Sequence, residues 1–277
     1  NIDYYSHKTR DGEPALYRNT ELRPRDGYTS DIFTDSAVDF IRQRGADPYF
    51  LCVAYNAALP PYRPPGLEDD HASRDTWVNG DRADYAAAIA HLDFCVGRIM
   101  AALQEQGIAD DTAIMLTYDH GGAELATKGP FFHGFGTLWE GGIRVPMILH
   151  WPNGLANGSA PAGAVVSEPG ILMDVTPTLL AAAGLTAEQG IDGRDLLSPD
   201  PGPGERTLHW RIDLPDLHGN WRARAQRALR RGKWKYLWDG GFEFLHDLET
   251  DPGERENLSH RHPDIMAELK ALSESDW

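Results

Sequence analysis

Two cysteines in 277 residues are too few for a disulfide framework. Cys52 lies in an apolar run and Cys95 in a helical one, so both read as small buried hydrophobes, and a single bridge between them stays open at this stage. Positive charge is scarce as well: 26 Lys and Arg face 42 Asp and Glu, a formal net charge of −16. A surface of that kind repels phosphate backbones and anionic lipid headgroups, which argues against nucleic acid and membrane surfaces as partners. No run of about 18 apolar residues occurs, so no membrane span is expected. The chain opens on Asn1-Ile-Asp-Tyr-Tyr5 without a basic-then-apolar leader.

What is present is a globular composition, 41% apolar and 25% charged, in a length that buries a sizeable core in one large domain or in one plus a small satellite. Residues Thr29 to Arg44 read as a helix with Ile32, Phe33, Ala37, Phe40 and Ile41 on one face, Asp31, Asp35 and Asp39 on the other, and Gly45 as its stop. An apolar strand is predicted from Tyr49 to Tyr55, followed by a loop that Pro60, Pro61, Pro64 and Pro65 keep extended. A second helix runs from about Arg82 to Gln106 on Ile89, Leu92, Val96, Ile99, Met100 and Leu103, with Gly107 ending it; His91 and Asp93 flank Leu92 and read as a solvated or helix-packing face. Val145 to Trp151 reads as another strand and Leu172 to Ala183 as a short helix. A proline and glycine cluster, 198–204, separates residues 1–198 from 205–277. Past it, Thr207 to Ile212, Ala225 to Leu229, Trp234 to Trp238 and Glu243 to Leu248 alternate as short antiparallel strands before a helix from Pro263 to Ser273. Trp210, Arg211, Trp221, Arg222, Arg224 and Arg227 read mainly as a solvated edge that could line a pocket mouth, with His209 and His218 as further candidates.

The most informative stretch is Leu116-Thr-Tyr-Asp-His-Gly-Gly122, followed by Gly134-Phe-Gly-Thr-Leu-Trp-Glu-Gly-Gly-Ile-Arg-Val-Pro146. Thr112 to Tyr118 is apolar and partly β-branched and reads as a buried strand of a parallel sheet, with Asp119 and His120 emerging at its carboxyl end, where open α/β sheets bind ligands. A carboxylate beside a neutral imidazole suits a divalent cation, and flanking glycines admit close backbone approach. The plainer alternative is a turn that caps the strand.

These segments resemble the second signature region of the type I sulfatases of the alkaline phosphatase superfamily. Collinear stretches extend the resemblance over nearly the whole chain: Glu13-Pro14, Leu16-Tyr-Arg-Asn19, Pro48 to Asn56, Met173 to Leu180, Trp234 to Leu237, Leu245 to Leu248, Asp251-Pro-Gly-Glu254 and Asn257-Leu258. The resemblance implies an α/β fold, an alkaline-phosphatase-like sheet sandwiched by helices, with a small carboxy-terminal antiparallel sheet-plus-helix subdomain. It implies a sulfate ester as substrate and a divalent metal ion, held in part by Asp119 and His120. Calcium is the family expectation, and the imidazole of His120 tilts the choice toward manganese or zinc. The bulk charge does not steer an anionic ester, so a local cation must.

Three family features are missing. The motif Cys-x-Pro-Ser-Arg or Ser-x-Pro-Ser-Arg, whose first residue becomes the formylglycine nucleophile, occurs nowhere, and neither Cys52 nor Cys95 has the following proline and arginine. The chain therefore reads as a carboxy-terminal portion that needs an amino-terminal segment or subunit for its nucleophile and an aspartate pair. Leu59 stands in Asn56-Ala-Ala-Leu-Pro-Pro61 where the family has a histidine, and Phe135 stands where Gly-Lys-Gly has a lysine. Each lost donor of that kind costs about 10²–10³ in rate, and Lys128 and His133 are the nearby candidates to replace them. A phosphatase or phosphodiesterase of the same superfamily is the second reading, favoured by the Asp-His pair. A non-catalytic relative is the third, favoured by Leu59 and Phe135. Asn157-Gly-Ser159 and Asn257-Leu-Ser259 match the glycosylation sequon, the second reading better as a turn.

Overall fold

The computed structural model describes residues 2–66, 75–77, 80–155, 163–188, 190–198, 205–213 and 225–275. In chain order they form β1 (Tyr17–Arg18), β2 (Glu21–Leu22), α1 (Thr29–Gln43), α2 (Arg82–Glu105), β3 (Ile114–Thr117), α3 (Glu140–Ile143), β4 (Met147–His150), α4 (Pro152–Leu155), a 3-10 turn at Leu172–Asp174, α5 (Val175–Ala182), β5 (Thr207–Ile212), β6 (Gln226–Arg231), β7 (Trp234–Asp239), β8 (Phe242–Asp247) and α6 (Pro263–Ser275). Two compact units result, one of Asn1–Ala113 with Trp151–Asn153 and one of Ile114–His150 with Gly154–Trp277.

The first unit is built on α1 and α2. The start of α2 is a capping box: Asp81 accepts from the Ala83 and Asp84 amides at 2.7 and 3.0 Å, and the Asp84 carboxylate accepts from the Asp81 amide at 2.9 Å. Its end is a Schellman turn, with Gly107 left-handed at φ 68° and the Ile108 amide donating to the Leu103 carbonyl at 3.0 Å. The helix faces differ from expectation. The buried positions of α2 are Ala88, Cys95, Ala102 and Leu103, a stripe of mostly small residues, while Ile89, Leu92, Val96, Ile99 and Met100 are half-buried. Asp31 and Asp35, expected on the solvent face of α1, instead take Arg98 of α2 at 3.2 and 2.5 Å. Small residues let two helices approach closely, and that approach is what brings the ionic pair together. By length and composition α2 is apolar enough to cross a membrane, yet it carries Asp93 and Arg98 at mid-length and packs on α1, where Arg98, His91 and Cys95 meet Asp31.

Two further expectations fail here. Tyr49 to Tyr55 joins no ladder among the described residues, and Cys52 is exposed while Cys95 is fully buried. Both cysteines are free thiols.

In the second unit β3 pairs antiparallel with β4, Ile114 opposite His150 and Thr117 opposite Met147. The expected parallel, buried strand is thus a half-open antiparallel ribbon, with Leu116 and Ile148 exposed by 40% and 57%. Strands β5 to β8 form an antiparallel meander in which Leu229, Tyr236 and Leu245 stand opposite one another, as do Ala228, Leu237 and Phe244. Period-2 alternation sends these rows to opposite faces. One face packs on α6 through Leu269, Ile265, Met266 and Leu272. The other receives Leu138 and Trp139, the middle of the signature segment. The β7–β8 turn uses Gly240 and Gly241, both at positive φ, as a two-residue hairpin of this hand requires. The proline and glycine cluster, Asn157, His218, Trp221, Arg222 and Arg224 lie outside the described residues.

Candidate active site in the signature loop

Beyond β3 the backbone folds so tightly that side chains are excluded. The Gly121 amide donates to the Gly142 carbonyl at 2.8 Å, and a Cβ on Gly121 would fall 2.0 Å from the Gly141 carbonyl oxygen. This close approach explains the paired glycines and holds Asp119-His120 against the start of α3.

Asp119 projects into solvent, its side chain 78% exposed. One oxygen, Oδ1, accepts from the His120 amide at 3.0 Å, and the other, Oδ2, lies 3.4 Å from His120 Nε2. His120 Nδ1 sits 2.9 Å from the Gly121 carbonyl oxygen. Nδ1 is thus tied to the backbone, and Nε2 is the ring nitrogen that faces the Asp119 carboxylate. A ring nitrogen tied to a backbone carbonyl is the usual outer-shell contact of a metal-ligating histidine. Ligand bonds of about 2.0–2.2 Å let one ion bridge two atoms so spaced. Two atoms so spaced fit a divalent cation.

Phe135, in place of the family lysine, packs on the His120 ring at a tilt, with centroids 4.2 Å apart. Lys128 donates from Nζ to the Ala123 carbonyl at 3.1 Å, and its stem crosses Gly134 so closely that a Cβ there would meet Lys128 Cδ at 2.7 Å and Nζ at 3.2 Å. Its ammonium thus reaches the backbone next to Phe135. His133 is exposed, left-handed at φ 56°, and faces the rings of Phe132 and Trp139 at 4.2 and 5.3 Å. Leu59 belongs to the other unit, where its carbonyl accepts from the Tyr4 hydroxyl at 3.0 Å.

Beneath the loop lies a buried ionic cluster that the sequence reading assigned no role. Lys235 of β7, fully buried, reaches Glu140 and Glu254 at 2.8 Å each, and Glu254 also accepts from the Glu140 amide at 2.6 Å. Burial pushes the Glu254 carboxyl above its ordinary value, although Lys235 and the Glu140 amide pull it down. The Leu138 amide and Trp139 indole add bonds to Gln226 and Asp239 at 2.7 and 3.2 Å. The only sequence signals were a lysine at a core-facing strand position and two glutamates inside family-like motifs. Of the residues read as a pocket mouth, Trp210 packs on the sheet core, Arg211 pairs with Asp213, and Arg227 covers the Trp238 ring at 5.1 Å. Asn257 serves a turn, accepting from the Leu245 and Ser259 amides at 3.1 and 3.0 Å.

The family model Sulfatase matches residues 2–185. Mouse N-acetylgalactosamine-6-sulfatase is 30% identical over 90% of this chain and 49% of its own length, and mouse steryl-sulfatase is 35% identical over 68% of this chain and 30% of its own. The solved structure of Ps i-CgsB, also known in complex with k-i-k-neocarrahexaose, is 26% identical, with a TM-score of 0.76 over 95% of this chain and 58% of that one. The phosphonate monoester hydrolase of Silicibacter pomeroyi shares the fold at a TM-score of 0.62 and 22% identity. The chain belongs to the sulfatase family and has its alkaline-phosphatase-like fold. It spans less than half the length of those two curated relatives. The family is generally dependent on a divalent metal.

Proposed function

We propose that this chain works as part of a metal-dependent sulfuric ester hydrolase. The observation that carries the reading is the geometry of Asp119 and His120: a carboxylate oxygen and the ring nitrogen Nε2 lie 3.4 Å apart, with Nδ1 anchored to a backbone carbonyl. A cation held there would neutralise charge on a sulfate oxygen. Calcium follows from family resemblance, and the imidazole shifts preference toward manganese or zinc. Two ligands are half a site, so the remaining carboxylates and the nucleophile come from an amino-terminal segment or subunit that these 277 residues do not supply. Lys128 takes the place of the absent family lysine, since its ammonium stands against Gly134, one residue before Phe135; His133, turned onto aromatic rings, is the lesser contributor. The curated relatives favour a sulfate ester over a phosphoester as substrate.

Calorimetric titration of the 277-residue chain with manganese and calcium tests the ligand pair. Weak binding that Asp119→Ala abolishes is the expected result. Sub-micromolar binding that survives Asp119→Ala would remove these residues from the metal site.

A further inference from the structure

Where α1 crosses α2, three side chains of different chemistry converge. Asp31 comes from the first turn of α1, and His91 and Cys95 lie one turn apart on α2, so both project to the same face. Their candidate ligand atoms all lie within 4.8 Å of one another. His91 Nε2 is 3.1 Å from Asp31 Oδ2, and the Cys95 thiol donates to Asp31 Oδ1 at 3.9 Å. A tetrahedral zinc shell with bonds of about 2.0–2.3 Å separates its ligands by roughly 3.3–3.8 Å. A rotamer-scale contraction of about 1 Å therefore closes the set around one ion.

A second observation points the same way. His91 Nε2 is buried and makes no hydrogen bond, despite its nearness to Asp31. Its one polar neighbour, Asp31 Oδ2, is out of line for a hydrogen bond, and a buried nitrogen left in that state has an unmet demand that an ion would satisfy. The surroundings also suit a dication. Arg98 binds Asp31 Oδ1 at 3.2 Å and Asp35 at 2.5 Å, which orients the Asp31 carboxylate so that Oδ2 faces the histidine, the role an outer-shell partner plays at metal centres. Without an ion the group holds two carboxylates, one guanidinium and a thiol that burial keeps protonated. With a dication and a thiolate, the charges of Asp31, Asp35, Cys95, Arg98 and the metal sum to zero.

We infer that Asp31, His91 and Cys95 form a site for a borderline-soft divalent cation of the zinc type, clasping α1 to α2 and leaving one coordination position open to solvent. Binding releases the Cys95 proton, because the thiolate is the ligand. The mixed thiolate, imidazole and carboxylate set selects zinc or cobalt over calcium or magnesium. None of its ligands is shared with the Asp119-His120 pair.

The test is titration of the 277-residue chain with cobalt(II), then zinc, in a Cys52→Ser background that removes the exposed thiol. The expected result is one cobalt per chain with thiolate-to-cobalt charge-transfer absorption, about one proton released per ion, and displacement by zinc but not by magnesium. Cys95→Ser should abolish the charge-transfer band, and His91→Ala should weaken binding by more than the ~10–100-fold of an outer-shell change. The double variant Asp119→Ala, His120→Ala should keep the band. Circular dichroism establishes that each variant is folded, and Cys95→Ala serves if Cys95→Ser is not. Absence of a thiolate band in the Cys52→Ser protein, or a band that survives loss of Cys95, overturns the assignment.

Discussion

The β5–β8 sheet alternates apolar with charged residues and the β3–β4 ribbon is almost wholly apolar, yet it is the sheet that is buried and the ribbon that lies open. In the larger sheet Leu229, Leu237 and Leu245 are fully buried, because α6 covers one face and the Leu138-Trp139 segment the other. The ribbon leaves Leu116 and Ile148 open. Apolar alternation states that a strand has a face to bury, but cover must come from elsewhere in the polypeptide. The four-stranded sheet finds its cover within its own unit. It then serves as the rigid floor for the signature loop, which hangs between that floor and the exposed ribbon.

The sharpest way to break this contrast is the ionic cluster in the floor. Lys235→Met leaves Glu140 and Glu254 buried without their cation and is expected to cost about 3–5 kcal/mol in urea unfolding. Lys233→Met, which removes the half-exposed partner of Asp247 at 2.7 Å, is expected to cost far less, because solvent screens that pair. Glu254→Gln should fall between them, since burial already favours the protonated carboxyl. Next in size is core truncation. Leu237→Ala should cost about 2–5 kcal/mol, against about 0.5 kcal/mol or less for Ile148→Ala on the open ribbon. Equal costs for the two would show that the ribbon is as well packed as the sheet.

A smaller effect sharpens the comparison through pH. Asp174 is fully buried, and burial alone would raise its carboxyl; the two-pronged Arg206 contact at 2.7 Å and the Arg194 and Ile171 amides at 2.9 Å outweigh that and hold it below the ordinary 3.8. The folded state then binds fewer protons than the unfolded one. Its contribution is present above pH 3.8 and is lost as pH falls through the depressed folded value. Thermal melts between pH 6 and 3 should show this loss, and Asp174→Asn should flatten it while costing roughly 1–3 kcal/mol at neutral pH.

How much of this was legible follows from what each signal depends on. Both long helices, all four strands of the carboxy-terminal sheet and its closing helix were readable because caps, glycine turns and alternation are local. The face that α2 buries was not. Its large apolar residues predicted one stripe, whereas close contact with α1 selects the smaller Ala88, Cys95 and Ala102 and draws Asp31 and Asp35 inward to Arg98. The strand partner of Ile114–Thr117 was misread for a similar reason: an apolar run does not carry the direction of its neighbour. At the site, Asp119, His120 and Lys128 were visible as motif members or near neighbours. The Nδ1 anchor, the reach of Lys128 across Gly134 and the Lys235 cluster depend on contacts between residues far apart in sequence, and only the fold supplies them.

The proposal at stake is that Lys128 supplies the leaving-group contact in the signature loop despite Leu59 and Phe135. Aryl sulfate turnover, measured with the chain joined to a family amino-terminal segment bearing a formylglycine-converted Cys-x-Pro-Ser-Arg, tests it most directly. Lys128→Ala should lower kcat by about 10²–10³ with little change in KM, and adding Phe135→Lys to that variant should restore most of the loss. Turnover that is indifferent to Lys128→Ala, with Phe135→Lys raising the rate of the otherwise unaltered chain by the same factor, would contradict the claim and mark the pocket as degenerate.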